Sequence, residues 1–267
     1  MSNPPMPTIS DPVTAGRAPA SRASVTERAA SALPGVGLSL LAFGSLLILL
    51  LHVLPPSNRV NPMTRTISQY ALEANGWMFD VGVLLLAVGS MAVLAGLVRA
   101  GVVRAISGTS LFLTFWSVSL AVLVVFEKYD YQNGMSTGAS GMIHRMASLV
   151  AFLSLPIAVL LASRGAARRN PSWRRPAAWT RWAAIAAGAC FSLLIYAIVQ
   201  GFFTDTSWWR VFPLGGMERL IALSDVVAVS VLGVWARMAR AVPAEPLGSA
   251  GLADQVSDGP GGAALVQ

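Results

Sequence analysis

Six apolar stretches of about 21–22 residues recur along the chain, separated by shorter polar connections. They fall at 34–54, 77–98, 106–126, 142–163, 182–203 and 217–238. Wound as an α-helix at about 1.5 Å per residue, a stretch of that length matches the hydrocarbon thickness of a bilayer, about 30 Å. Helix is the required conformation, because each span must satisfy its own backbone hydrogen bonds in lipid. A β-barrel would instead show short alternating segments. The pattern predicts an all-α polytopic membrane protein: a bundle of six transmembrane helices over 34–240, with an N-tail at 1–33 and a C-tail at 241–267.

Composition agrees with that reading. The 267 residues are 55% hydrophobic and 12% charged, against about 25% charged in an ordinary soluble domain. Both tails are rich in Pro, Ser, Ala or Gly, cannot bury a core and are expected to be disordered, with a short amphipathic helix near 25–32. No cleavable signal peptide is expected, since the first apolar run is too long for one and lacks a small-residue cleavage site. The single cysteine, Cys190, lies inside the fifth span and reads as a small packing residue.

The formal charge of +7 does not point to nucleic acid, because the arginines sit in short connections beside the spans. Thirteen Lys and Arg residues fall in the tails and the second and fourth connections, and six on the other side. The positive-inside rule therefore predicts both termini in the cytoplasm. The fourth connection interleaves Arg164, Arg168, Arg169, Arg174, Arg175 and Arg181 with Trp173 and Trp179. Its arginines are candidates for anionic phospholipid at the cytoplasmic face, each adding about 1 kcal/mol. The competing reading is a topology signal with interfacial tryptophan anchors, as expected also of Trp208 and Trp209.

Local signals complete the map. Thr66-Ile67-Ser68-Gln69 fits a capping box, and Asn75-Gly76 a left-handed stop, so a short surface helix is predicted over 67–74. The glycine- and serine-rich third connection, 127–141, is expected to be mobile. Gly37, Gly44 and Ser45 thin the first span, and Ala184 with Gly188 makes a small-residue pair in the fifth.

The polar residues in or near the spans gather at one end of the predicted bundle. His52 lies near the end of the first span and Asp80 one turn inside the second. Glu127 follows the third, His144 and Arg145 open the fourth, and Gln200 and Asp205 flank the end of the fifth. Glu218 and Arg219 open the sixth. Asp225 lies roughly 9 Å deeper than Arg219 and, seven residues from Glu218, shares its face. A carboxylate at a span centre costs about 2.5–3.5 kcal/mol, so Asp80 and Asp225 must face the bundle interior, a cation or water. One reading is an extracytoplasmic pocket lined by His52, Asp80, Glu127, His144, Arg145, Glu218, Arg219 and Asp225. The other is a set of interhelical hydrogen bonds and ion pairs that fix packing. Two histidines on different helices, without HxxxH or HExxH spacing, give no support to a metal site, and no cofactor is implied. No GxSxG elbow, P-loop, GxGxxG or CxxC occurs.

Three segments carry a resemblance. Asn61-Pro62 through Ile67-Ser68-Gln69-Tyr70 to Trp77 and Asp80 resembles the first motif of the six-helix bacterial membrane family called domain-of-unknown-function family 998. Phe126 through Asp130 to Gly141-Met142-Ile143-His144 resembles its second, and Gly216-Met217-Glu218-Arg219 its third. Glu127 stands where family members commonly have proline. The resemblance covers roughly 33–240. It implies a membrane protein of unassigned activity, in which Ser68, Tyr70, Asp80, His144, Glu218 and Arg219 belong together toward the outer face.

Three functional classes follow. One is a non-enzymatic membrane protein that binds or passes a small or lipid-like ligand. In it Arg145 and Arg219 would hold an anionic group, and Asp80, Asp225 and His144 would set polarity or carry a proton. The second is a membrane-embedded lipid hydrolase or transferase with His144 as base. The third is a scaffold or regulatory subunit. No repeat relates the two three-helix halves, which weighs against a transporter.

Overall fold

The computed structural model describes residues 22–126, 128, 138–203 and 213–241, and no strand occurs among them. Six long helices follow one another: α1 (Arg22–Leu50), α2 (Gly76–Arg99), α3 (Gly108–Val125), α4 (Ala139–Arg169), α5 (Arg174–Phe203) and α6 (Leu214–Ala241). Each contains a segment long and apolar enough to cross a membrane. Their outward faces carry large exposed apolar side chains such as Phe43, Leu49, Val88, Val118 and Leu223, as lipid-facing surfaces require.

Each helix packs on its neighbour in sequence, and α6 closes the ring against α1. The last helix also reaches α2 and α4, which makes it the common partner of the bundle. The core runs from Leu41 and Leu86 through Leu113 and Leu155 to Val229 and Leu232. A smaller cluster joins Phe191 and Leu194 of α5 to Ile221 of α6, with Cys190 beside it.

The tightest contact is between α1 and α2. A Cβ on Gly44 would stand 2.6 Å from the Gly82 carbonyl oxygen, and one on Gly89 3.0 Å from that of Gly37. The two glycine pairs are spaced seven apart on antiparallel helices, so they meet twice along one seam and let the backbones touch. The Ala184/Gly188 pair expected to do the same in α5 does not: a Cβ on Gly188 would meet nothing within 4 Å. Deeper in, Trp116 of α3 donates its indole N–H to Ser90 of α2 (3.0 Å), and Ser90 donates on to the Leu86 carbonyl (2.7 Å).

The arginine-rich fourth connection is much shorter than its sequence suggests. Helix α4 runs on to Arg169 and α5 begins at Arg174, leaving only Asn170 and a single 3₁₀ turn, Pro171–Trp173. Ala166 and Ala177 are buried, so the helical extensions pack as well as span. Pro171 ends α4, and the Asn170 side chain accepts from the Ser172 amide (3.0 Å). The Trp173 ring, partly buried, stands edge-on to the buried Trp235, 6.4 Å between centroids. Trp179 is exposed, as an anchor should be. At the other end, α1 starts at Arg22, so the short helix expected at 25–32 is part of a longer one.

The connection between α1 and α2 departs furthest from expectation. Instead of a surface α-helix over 67–74, it forms a 3₁₀ helix, Ile67–Leu72, with Ser68, Gln69 and Tyr70 buried. Thr66 makes no side-chain cap; its hydroxyl lies 3.2 Å from Ser68 Oγ. Asn75 is not left-handed, with φ −93°, and it starts α2 rather than stopping a helix. Gly76 is needed there because a Cβ would stand 2.3 Å from the Ala71 carbonyl oxygen. The connection is drawn inward by tertiary contacts with α6, described next.

Candidate functional site

Arg219, on the second turn of α6, reaches across to the connection after α1. Its Nε donates to His52 Nε2 (2.9 Å). One terminal nitrogen donates to the carbonyls of Pro62 (2.8 Å), Arg65 (2.7 Å) and Gly215 (3.0 Å). The other donates to the Tyr70 hydroxyl (3.3 Å), and the guanidinium carbon lies 5.6 Å from the centre of the Tyr70 ring. All five of these hydrogen bonds from the planar fork go to the protein itself.

His52 fits the arrangement by its tautomer. It lies just past the last residue of α1, with Nδ1 3.0 Å from the Ile48 carbonyl. A carbonyl only accepts, so Nδ1 carries the proton and Nε2 presents a lone pair to Arg219. Burial, and the Arg219 charge beside it, hold the imidazole below its ordinary pKa. The His52 ring also meets Tyr70 edge-on at 5.0 Å.

The start of α6 lies flat on the same connection. The Met63 carbonyl accepts from the amides of Gly215 (3.0 Å) and Gly216 (3.2 Å). A Cβ on Gly215 would stand 2.2 Å from the Arg65 carbonyl oxygen, so glycine is required for this approach. Glu218 accepts from the Ile67 amide (2.9 Å). Lys128 donates to the Thr66 hydroxyl and brings the far end of α3 to the same place. His52, Ser68, Tyr70, Glu218 and Arg219 thus form one clasp between α6 and the 51–75 connection.

His144 is buried on α4, with Nδ1 2.8 Å from the Phe126 carbonyl. Its Nε2 is buried and has no hydrogen-bond partner among the described residues. The Ser148 hydroxyl one turn on is not turned toward the ring; it donates to the His144 carbonyl (2.9 Å). Asp225, three turns into α6, is 0% exposed, and neither carboxyl oxygen has a partner among the described residues. It lies one turn beyond Ile221 in an apolar setting. Asp80 is half-buried on α2 and Arg145 exposed on α4, and neither lacks a partner. Glu127, Asp130, Asp205, Trp208 and Trp209, and most of the glycine-rich third connection, fall outside the described residues, as do both tails beyond α1 and α6. Arg174, Arg175 and Arg181 are exposed at the opposite end of the bundle. Among the described residues, no three His, Cys, Asp or Glu side chains converge as metal ligands would.

One feature of this end escaped the sequence reading. Between Arg59 and Glu73, the connection encloses a polar cleft of about 500 Å³. The signal for it was the close Gly215-Gly216 pair, which permits the backbone contact on which the connection rests.

Residues 36–235 match the model of the family described as "Protein of unknown function (DUF998)". The chain belongs to that family. No curated protein and no solved structure matches it. Family membership covers the whole bundle, and of the six motif residues expected to belong together, Ser68, Tyr70, Glu218 and Arg219 do meet in the clasp.

Proposed function

We propose that this family member is a bacterial cell-membrane protein that binds a small or lipid-like ligand within its bundle, with Asp225 and His144 as the groups that meet it. The observation that carries the reading is Asp225. A carboxyl group in a packed apolar interior needs a hydrogen-bond donor, a cation or a proton, and the described residues supply no partner. His144 Nε2 is a second buried polar atom without a hydrogen-bond partner among the described residues. Arg219 and Glu218 have a different role from the anion-holding one expected of Arg219: their hydrogen bonds are directed to the protein, so they position the bundle end.

The excess of arginine in the fourth connection and tails supports both termini in the cytoplasm and the clasp outside. Exposed Arg174, Arg175 and Arg181 suit anionic phospholipid at the inner leaflet, with Arg168 and Arg169 beside them in sequence. In a Cys190→Ala background, Ser172→Cys and Thr64→Cys labelled on intact cells read the sidedness. Labelling of Ser172→Cys alone by an impermeant reagent would invert it.

The test of the ligand reading is native mass spectrometry of the purified full chain released from membranes. The wild type should retain a bound small molecule or lipid that Asp225→Leu loses while remaining folded. Equal retention by both proteins would leave Asp225 a packing residue and end the proposal.

A further inference from the structure

The cleft on the 51–75 connection has a chemistry of its own, independent of Asp225. Arg59 and Arg65 line it together with Asn61, Thr64, Gln69 and Glu73. Its volume, about 500 Å³, lies inside the usual range for small-molecule sites, about 300–1,000 Å³. Among the described residues no ion pair joins Arg59, Arg65 and Glu73, so two cationic residues and one carboxylate residue belong to one lining without pairing with each other. The Asn61 carboxamide oxygen accepts from the Met63 amide (2.9 Å), which leaves its NH₂ group to donate outward. Gln69 is 8% exposed and adds a second amide to the lining.

The cleft is also held in shape. The turn that bears Asn61, Thr64 and Arg65 is fixed from below by Arg219, which donates to the carbonyls of Pro62 and Arg65, and by Gly215 and Gly216, which donate to Met63. The Arg65 amide donates to the Asn61 carbonyl (3.0 Å), closing the turn itself. Arg219 is therefore a positioning residue: its hydrogen bonds hold the turn, while Arg59 and Arg65 line the cleft. A preformed site avoids the ordering cost of binding.

The lining selects a class of ligand. Two arginines match a phosphate group, which accepts planar two-pronged donation. The Glu73 carboxylate in the same lining would repel a simple anion and attract an ammonium. The segment lies between the membrane-spanning parts of α1 and α2, and Val53, Met63, Leu72 and Trp77 around it are exposed apolar side chains. That is the depth and polarity of a phospholipid headgroup.

We propose that this cleft binds a zwitterionic phosphate ester of the phosphoethanolamine type, with the phosphate on Arg59 and Arg65 and the ammonium on Glu73. The same chemistry has two sources, the headgroup of phosphatidylethanolamine and the free compound. The experiment measures lipid retention by the full chain in nanodiscs of phosphatidylcholine doped with phosphatidylethanolamine or phosphatidylglycerol. Soluble phosphoethanolamine, phosphocholine and inorganic phosphate serve as competitors. The wild type should enrich phosphatidylethanolamine over both other lipids. Arg59→Gln with Arg65→Gln should weaken that binding at least tenfold, and Glu73→Gln should remove the preference over phosphatidylcholine while keeping affinity for phosphate. Competition by free phosphoethanolamine alone among the soluble probes supports the soluble source, and retention of the lipid without competition supports the membrane source. Equal retention of the three lipids by the wild type, together with no binding of free phosphoethanolamine, overturns the proposal. So does unchanged selectivity in Glu73→Gln, whose half-exposed position keeps the variant folded even if the double arginine variant is not.

Discussion

Replacing Arg219 by alanine removes five hydrogen bonds at once, to His52, Pro62, Arg65, Gly215 and Tyr70. At about 1 kcal/mol net per bond, the gross loss is about 5 kcal/mol. The Pro62 contact lies on the exposed side, and a loosened connection lets its carbonyls recover water. Roughly half the loss then survives, about 2–3 kcal/mol, falling on the 51–75 connection rather than on the helices. In hydrogen exchange of the full chain in nanodiscs, that is a roughly 30- to 140-fold drop in amide protection. The drop should centre on the bonded amides of Arg65, Ile67 and Gln69, while α2 to α5 keep their protection. Arg219→Lys should recover only part of it, because one ammonium reaches the carbonyls but not His52 and Tyr70 as well. Unchanged exchange across 57–73, or a loss spread evenly over all six helices, would refute the clasp.

Asp225→Leu exchanges a buried carboxyl that has no partner among the described residues for an apolar group of similar size. The ligand-free protein should gain about 1–3 kcal/mol, read as a higher melting temperature; a lower one would mean that the carboxyl holds the packing. Gly44→Ala drives a methyl into the Gly82 carbonyl and should cost about 1–3 kcal/mol, whereas Gly35→Ala, with open space around it, should be neutral or stabilising by about 0.5–1 kcal/mol. Thermal unfolding of both variants checks the seam. His52 gives a pH dependence. Its folded pKa lies below the ordinary value of about 6.5, so its contribution is complete above that pH and is lost as the pH falls through 6.5 toward the folded value. Melting temperatures between pH 7.5 and 5 should fall more steeply for the wild type than for His52→Gln; parallel curves would remove His52 from the clasp.

The six helices were legible because span length and apolarity are local properties, and each predicted stretch lies within or close to its helix. The gathering of Ser68, Tyr70, Glu218 and Arg219 was legible too, as clustering of polar residues at one end. What those residues bond to was not. Arginine beside a span reads equally as a ligand contact or a brace, and only the carbonyls of Pro62 and Arg65 decide between them. The 67–74 segment misled because its capping signature is local, whereas its conformation is set by Arg219 and Glu218, about 150 residues away. Small-residue spacing was ambiguous in the same way: Gly37 and Gly44 have glycines opposite them on α2, and Gly188 has nothing. The fourth connection was drawn too long because arginine marks the membrane boundary without ending a helix.

The bond between His52 and Arg219 joins residues 167 positions apart. A nascent chain that has already folded its first hairpin along the glycine seam still lacks the final helix that fastens the intervening strap. Until α6 emerges and enters the membrane, that strap has no anchor and the cleft upon it has no floor. Shape at this end therefore depends on α6 having entered the membrane, and any product truncated before Gly215 would leave the turn that bears Arg65 without its frame.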